Sequence, residues 1–292
     1  MRVTEQMRYD SVSNNLSQLS SRQAKAAQEA QTGLRINLPS DDPIAAAQLA
    51  RLSASQSQVQ ARRNTITSVR GDAELAESSL QQASDLMANA KELAMEGGNG
   101  ALGASERATL ALQVKDLKEQ LIGIANTKGT SGYLFSGSAT ETRPFSQTGA
   151  FSGNDEAHVV DIGNSTPSAV NASGAKAFTT AGGRDVFAAL DALYTALNTN
   201  DPAAIGASLD GIDGSRAQIT NAQAAIGITL NKLDASDSVQ SALDLQNSKS
   251  MSDLGAADPA KAYSTLMQLN NALQQSVSVS KSILDLAAFK QF

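Results

Sequence analysis

PIAAAQLARLSASQSQVQARRNTITSVRGDAELAESSLQQASDLMANAKELAMEG, residues 43–97, places an apolar residue at every seventh position. Ala45, Leu52, Val59, Ile66, Ala73, Leu80, Met87 and Ala94 form that register. Companion positions Val69, Ala76, Ala83 and Ala90 are apolar only in the second half. A strict seven-residue repeat predicts a helix with a left-handed seam against partner helices. Uninterrupted, about 50 residues of helix extend roughly 75 Å. Asp42 before Pro43 reads as an N-cap followed by proline at the first helical position. Gly97-Gly98-Asn99-Gly100 is the stop signal.

Upstream, Val12, Leu16, Leu19, Ala26 and Ala30 make one helical stripe, with Gly33 as its C′ residue. The linker LRINLPSDDP separates the two helices. Downstream, a helix over about 104–127 carries Leu110, Val114, Leu117, Leu121 and Ile124, opened by Ala104 or Ser105 with Glu106 in its first turn. A short helix follows with Val186, Leu190, Leu193 and Leu197. Asp201-Pro202 then opens a second long helix, reaching about residue 252. In it Ile205, Ile212, Ile219, Ile226 and Leu233 are seven apart, joined by Leu209 and Leu230. Asp258-Pro259 repeats the device and starts the last helix. Residues 129–184 are rich in Gly, Ser and Thr. Their runs YLFSG, HVVDIG and SAVNASG read as short strands and turns.

The expected fold is mainly α: a long antiparallel helical bundle or coiled coil with paired terminal helices and a small inserted β-rich subdomain. Three parts are expected. Residues 1–42 and 255–292 supply the terminal helices, 43–131 and 185–254 the long-helix bundle, and 132–184 the β-rich outer insert. Helices built from the two ends of one chain must meet each other or neighbouring molecules. Their apolar positions are Val12, Leu16 and Leu19 at one end and Leu266, Leu269, Leu273, Val277, Leu284, Leu286, Phe289 and Phe292 at the other, and they form the candidate assembly interface.

The 292 residues carry a net charge of −6 and no basic run, which argues against a nucleic-acid partner. Cys is absent, so disulfides, thiol nucleophiles and Cys-based zinc sites are excluded. No stretch reaches the roughly 20 apolar residues of a membrane span, so membrane insertion is not expected. Nor does the N-terminus carry the apolar core of a cleavable signal. Aromatic content of 4% and the lack of Trp predict a thin bundle with Ala and Leu seams.

No catalytic constellation appears, and no cofactor or metal site is expected. His158 is the only histidine, in a strand-like run, and reads as a surface residue. The Asp41-Asp42 pair could bind a cation, but capping accounts for it more simply. Asp155 and Glu156 read as a solvated turn. The glycines at 97, 98 and 100 follow no strand and carry no Lys-Ser/Thr, so they are no phosphate loop. Arg62, Arg63 and Arg70 read as solvated salt-bridging residues, with an intersubunit contact as the other option.

Several motifs resemble the flagellin superfamily. TGLRINLPSDDP at 32–43 is similar to the loop between its first two helices. The continuation Asp41-Asp42-Pro43-Ile44-Ala45-Ala46 is closer to the hook–filament junction branch than to filament flagellins. MRVTEQMRYDSV at 1–12, GYLFSGSATETRPF at 132–145 and the tail SILDLAAFKQF at 282–292 resemble the same branch. The tail lacks the Leu-Leu-Arg finish usual in filament flagellin. The resemblance implies terminal helices in an axial coiled coil, a bundle domain and a variable outer domain. It implies a structural subunit, not an enzyme, exported unfolded by the flagellar type III route and secreted to the extracellular flagellum. There it would self-associate as a ring between the first hook-associated protein and filament flagellin. An export chaperone would hold the C-terminal part of the candidate interface beforehand, in the cytoplasm. A short filament flagellin is the alternative, and a chemoreceptor-like coiled-coil signalling bundle a more distant one.

Overall fold

The computed structural model describes the backbone of residues 2–163 and 168–289, and side chains at 6, 7, 9–163 and 169–282. Chain order is α1 (Arg2–Thr32), α2 (Pro43–Gly97), α3 (Ala104–Ala125), β1 (Lys128–Gly129), β2 (Gly132–Tyr133), β3 (Val159–Val160), β4 (Ser168–Ala169), α4 (Gly174–Phe178), a 3₁₀ turn (Thr180–Gly182), α5 (Val186–Asn198), α6 (Pro202–Gly255) and α7 (Pro259–Phe289). The mainly helical fold expected from the repeats is present, with few strands.

The sequence punctuation works as expected. Gly33 adopts φ 68°, and its N–H donates to the Glu29 carbonyl at 2.9 Å, closing α1. Asp201 accepts from the amides of Ala203 and Ala204 at the start of α6. Asp258 does the same for Ala260 and Lys261 at the start of α7. Helix α3 opens at Ala104, as expected, but no side chain caps it: Gly103 precedes it as the N-cap. Gly97 is glycine for a packing reason, since a Cβ there would lie 2.3 Å from Leu197 Cδ2.

The chain divides into two compact units. One is Val59–Ala242; the other joins Met1–Gln58 to Leu243–Phe292. Helices α2 and α6 contribute to each.

In Val59–Ala242, α2 and α6 run antiparallel. Side-chain pairs mark the register: Lys91 with Asp213 at 2.8 Å, Gln81 with Gln223 at 3.1 Å, Arg70 with Asp234 at 2.6 Å and Arg63 with Asp237 at 3.2 Å. Arg62 reaches Asp161 at 3.2 Å. The three arginines therefore take the solvated salt-bridging role. Ile66, Ala73, Leu80, Met87 and Ala94 of α2, and Ile205, Ile212, Ile219 and Leu233 of α6, are almost entirely buried. Ala76, Ala83 and Ala90 widen the buried face of α2 where α3 and α5 also pack, which is why the companion positions are apolar only there.

The insert holds less β structure than its composition suggests. Among its described residues, two antiparallel ladders of two residues per strand pair β1 with β2 and β3 with β4, and one isolated bridge joins Phe145 to Phe151. YLFSG contributes only Tyr133 to a strand, because Leu134 and Phe135 turn into the core. SAVNASG gives only its first two residues to a strand, and its Ser173 caps α4. The insert's order comes mainly from rings. Phe135, Phe145, Phe151, Phe178 and Phe187 form one cluster with centroid separations of 5.1–6.1 Å. Five of the seven phenylalanines thus meet at one point, and the core is thicker there than aromatic content predicts.

Polar side chains fasten this packing. Buried Gln218 of α6 accepts from Arg184 N–H at 2.8 Å, and its Nε2 lies 3.0–3.2 Å from the carbonyls of Ala177, Thr179 and Arg184. Asp72 of α2 accepts from the amides of Thr130 and Ser131 in the β1–β2 turn. The buried guanidinium of Arg107 donates to Gly97 O at 2.7 Å, Asn99 O at 2.8 Å and Asn200 Oδ1 at 2.5 Å. It ties the α2–α3 turn to the α5–α6 turn. Unpaired buried polar groups cost about 1–3 kcal/mol, so each clamp fixes one arrangement of the backbone it serves.

Candidate assembly surface

In the unit that holds both termini, α1 and α7 pack against each other. They run antiparallel: Gln23 Nε2 donates to Asn270 Oδ1 at 2.7 Å, and Leu34 bridges to Ala256 near the opposite ends. The expectation that the two ends of the chain meet is met within one molecule.

The LRINLPSDDP loop holds that pairing. Arg35 N–H donates to Gly255 O at 2.8 Å, Ala257 N–H to Gly33 O at 2.9 Å, and Arg35 Nη2 to Leu254 O at 2.9 Å. The two aspartates have separate tasks. Asp42 caps α2 through Ala45 N–H at 3.1 Å and pairs with Arg35 at 3.3 Å. The Ala45 amide, foremost, lowers its pKa. Asp41 bonds Lys25 of α1 at 2.8 Å and accepts from the amides of Asn37 and Leu38 at 3.1 and 3.0 Å. The Lys25 ammonium, then the two amides, bring the Asp41 carboxyl from the ordinary 3.8 down to about 2. All four carboxylate oxygens of the pair serve the protein's own cations and amides, and among the described residues no group of three potential metal ligands occurs.

The stripe residues are covered only partly. Val12, Leu16 and Leu19 on α1, and Leu266, Leu269 and Leu273 on α7, are half-buried. Val277 is not on the seam. It is 52% exposed, and the buried line continues instead through Ser276 and Ser280, whose hydroxyl donates to the Ser276 carbonyl at 2.7 Å. The side chains of Leu284, Leu286 and Phe289, and all of Phe292, lie outside the described residues. Among described side chains of this unit, the buried apolar residues are the alanines Ala26, Ala45 and Ala262.

A second apolar line on α7 was not apparent from the stripe. Tyr263, Met267 and Val277 are exposed and lie roughly 60–140° round the helix from the seam. Met7 and Tyr9 are exposed on α1. The four-residue spacing of Tyr263 and Met267 is the signal that could have revealed it. Two half-covered helices with further apolar side chains in solvent can still bury surface against another molecule.

Elsewhere, the residues considered for chemistry have structural partners. His158 is exposed, and its backbone bonds to Val170 and Asn171. Asp155 accepts from Ser173 and Lys176, and Glu156 from Ser138 at 2.8 Å. No helix among the described residues is long and apolar enough to cross a membrane.

Residues 3–140 match the family described as the bacterial flagellin N-terminal helical region. Over 314 aligned positions the chain is 31% identical to flagellar hook-associated protein 3 of Escherichia coli strain K12, covering 99% of each. The fold is similar to a candidate flagellar hook-associated protein from Vibrio parahaemolyticus, with a TM-score of 0.69 at 25% identity over 74% of this chain and 100% of that one. It also resembles the flagellar junction protein of Legionella pneumophila, with a TM-score of 0.59 over 72% of this chain and 100% of that one. At 16% identity, that second likeness is one of fold.

Proposed function

The chain belongs to the family of flagellar hook-associated protein 3, and from that premise we propose that it is a structural subunit joining hook to filament. It is exported unfolded, secreted, and assembled as a ring through its terminal helices. Its neighbours are the first hook-associated protein on one side and filament flagellin on the other. Residues 1–42 and 255–292 form the axial coiled coil, 43–131 and 185–254 the bundle domain, and 132–184 the outer insert.

One observation carries this reading. The α1–α7 pair leaves Leu266, Leu269 and Leu273 half-covered, and Tyr263, Met267 and Val277 in solvent. Such a surface favours burial against further copies. The apolar C-terminal segment, which in sequence also carries Leu284, Leu286, Phe289 and Phe292, is what an export chaperone shields in the cytosol before assembly covers it.

A strain lacking this chain tests the reading. It is expected to build hooks and to shed filament subunits into the medium without growing filaments. Purified chain added from outside restores growth, whereas the chain with Leu266, Leu273 and Leu284 changed to Ser does not. Filaments of normal length in the deletion strain would overturn the junction role.

A further inference from the structure

We infer that Asn99-Gly100 is a built site of spontaneous deamidation, activated by the buried Arg107. Asn99 is exposed in the turn after α2, and it is followed by glycine. Gly100 has no side chain to shield its amide nitrogen, and a Cβ there would meet nothing within 4 Å. The turn's amides of Gly98, Asn99, Ala101 and Leu102 all donate to named acceptors, whereas the Gly100 N–H, the nucleophile's proton, has no acceptor among the described residues.

Both reacting groups are polarised. Loss of the Gly100 amide proton leaves an anion shared with the Asn99 carbonyl oxygen. That oxygen accepts from Arg107 Nη2 at 2.8 Å and from Leu102 N–H at 3.1 Å. A charged donor stabilises the anion more than a neutral one does. The electrophile is the Asn99 side-chain amide, whose Oδ1 accepts from Ala101 N–H at 3.1 Å. As the Gly100 nitrogen attacks Cγ, negative charge develops on that oxygen, where a fixed donor already waits.

The step balances with water as the only co-reactant. The Gly100 N–Cγ bond forms, and the Cγ–Nδ2 bond breaks. Ammonia leaves with a proton from solvent, and a five-membered imide remains. Water then opens the imide at Cγ to give aspartate, or at the main-chain carbonyl to give isoaspartate. Opening at the main chain turns the carbonyl that faces Arg107 into a carboxylate. Arg107's three acceptors, Gly97 O, Asn99 O and Asn200 Oδ1, are all neutral. The isoaspartate product therefore supplies an anion to a buried guanidinium.

The full chain is incubated in mildly alkaline buffer beside the synthetic peptide Glu92–Arg107, and both are mapped by mass spectrometry with an isoaspartate assay. The folded chain is expected to exchange NH₂ for OH at Asn99 at least as fast as the peptide, and faster than at its other asparagines, with isoaspartate as the main product. Slower reaction in the folded chain than in the peptide overturns the inference, because the fold would then protect the site. Gly100→Ala is expected to lose the signal. Arg107→Lys, checked for native helicity, is expected to slow the reaction, and an unchanged rate removes Arg107 from the mechanism. If that variant fails to fold, the chain-to-peptide comparison still decides.

Discussion

The unit Val59–Ala242 and the unit containing both termini use the same long helices and bury different things. In the first, the α6 repeat presents Ile205, Ile212, Ile219 and Ile226 to a core that includes the Phe135–Phe145–Phe178 rings, and Leu233 to a smaller cluster with Ile66, Ile162 and Val170. The seven-residue register then runs on through Gln240 and Asn247, which are buried too. In the second unit, Asn247 donates to Ser55 at 3.0 Å, and Gln56 donates to Asp244 at 2.6 Å. Polar residues at seam positions fix register at a cost in stability. One periodicity therefore encodes a deep core over part of its length and a hydrogen-bonded seam over the rest. The difference is one between holding a fold together and keeping a surface available.

The sharpest way to break this contrast is a charge in each seam. Ile66 is 1% exposed, and Ile66→Asp should cost at least about 3 kcal/mol, because an unpaired carboxylate is buried there. Leu269→Asp, on a half-buried position, should cost about 1 kcal/mol or less. Thermal unfolding followed by helical circular dichroism compares them. Equal shifts would mean that the terminal helices belong to one cooperative core with the rest.

The insert's ring cluster offers the next largest effect. Phe145 is fully buried and touches Phe151, Phe178 and Phe187. Phe145→Ala should cost about 3–5 kcal/mol in the same assay if the insert is part of the Val59–Ala242 core. A separately melting insert would show a second, lower transition and an unchanged main one. Gln218→Ala should cost less, about 1–3 kcal/mol, by leaving backbone groups of residues 177–184 without their partner.

Much of this architecture was legible, for a definite reason. Seven-residue repeats over dozens of positions, punctuated by Asp-Pro and Gly, locate α2, α6 and α7 because each signal is local and repeated. The Phe cluster was not legible. Its members are scattered from 135 to 187 through a segment without periodicity, and only tertiary contact joins them. Arg107 and Gln218 look like solvated helix residues until their acceptors, supplied by distant turns, come into place. Val277 shows the opposite error. An apolar residue four positions after Leu273 reads as seam, yet Val277 is exposed, and Ser276 and Ser280 carry the buried line instead.

Removing the ends should sharpen the comparison without a large energetic change. A fragment spanning residues 43–254 keeps every buried residue of Val59–Ala242, and its unfolding temperature should lie close to that of the intact chain. A large fall would show that α1 and α7 stabilise that unit.

The smallest expected effect is electrostatic and confined to the terminal unit. The Asp41 carboxyl titrates near 2 in the folded chain and near the ordinary 3.8 when unfolded. A depressed carboxylate contributes its full stabilisation above the unfolded value and loses it as pH falls through the folded one. The loss should therefore develop between about pH 4 and pH 2 and should affect the Asn37 and Leu38 amides that donate to Asp41. Carboxyl NMR titration should give a midpoint near 2 for Asp41. Lys25→Met should raise that midpoint without restoring 3.8, because the two backbone donors remain. Asp41→Asn should abolish the acid-dependent change in those amides and leave the unfolding of Val59–Ala242 unaltered, since no residue of that unit bonds the Asp41 carboxylate. A midpoint that stays near 2 in Lys25→Met would assign the depression to the loop amides alone. The loop would then be set by its own backbone, and the Lys25 contact to α1 would add nothing to it.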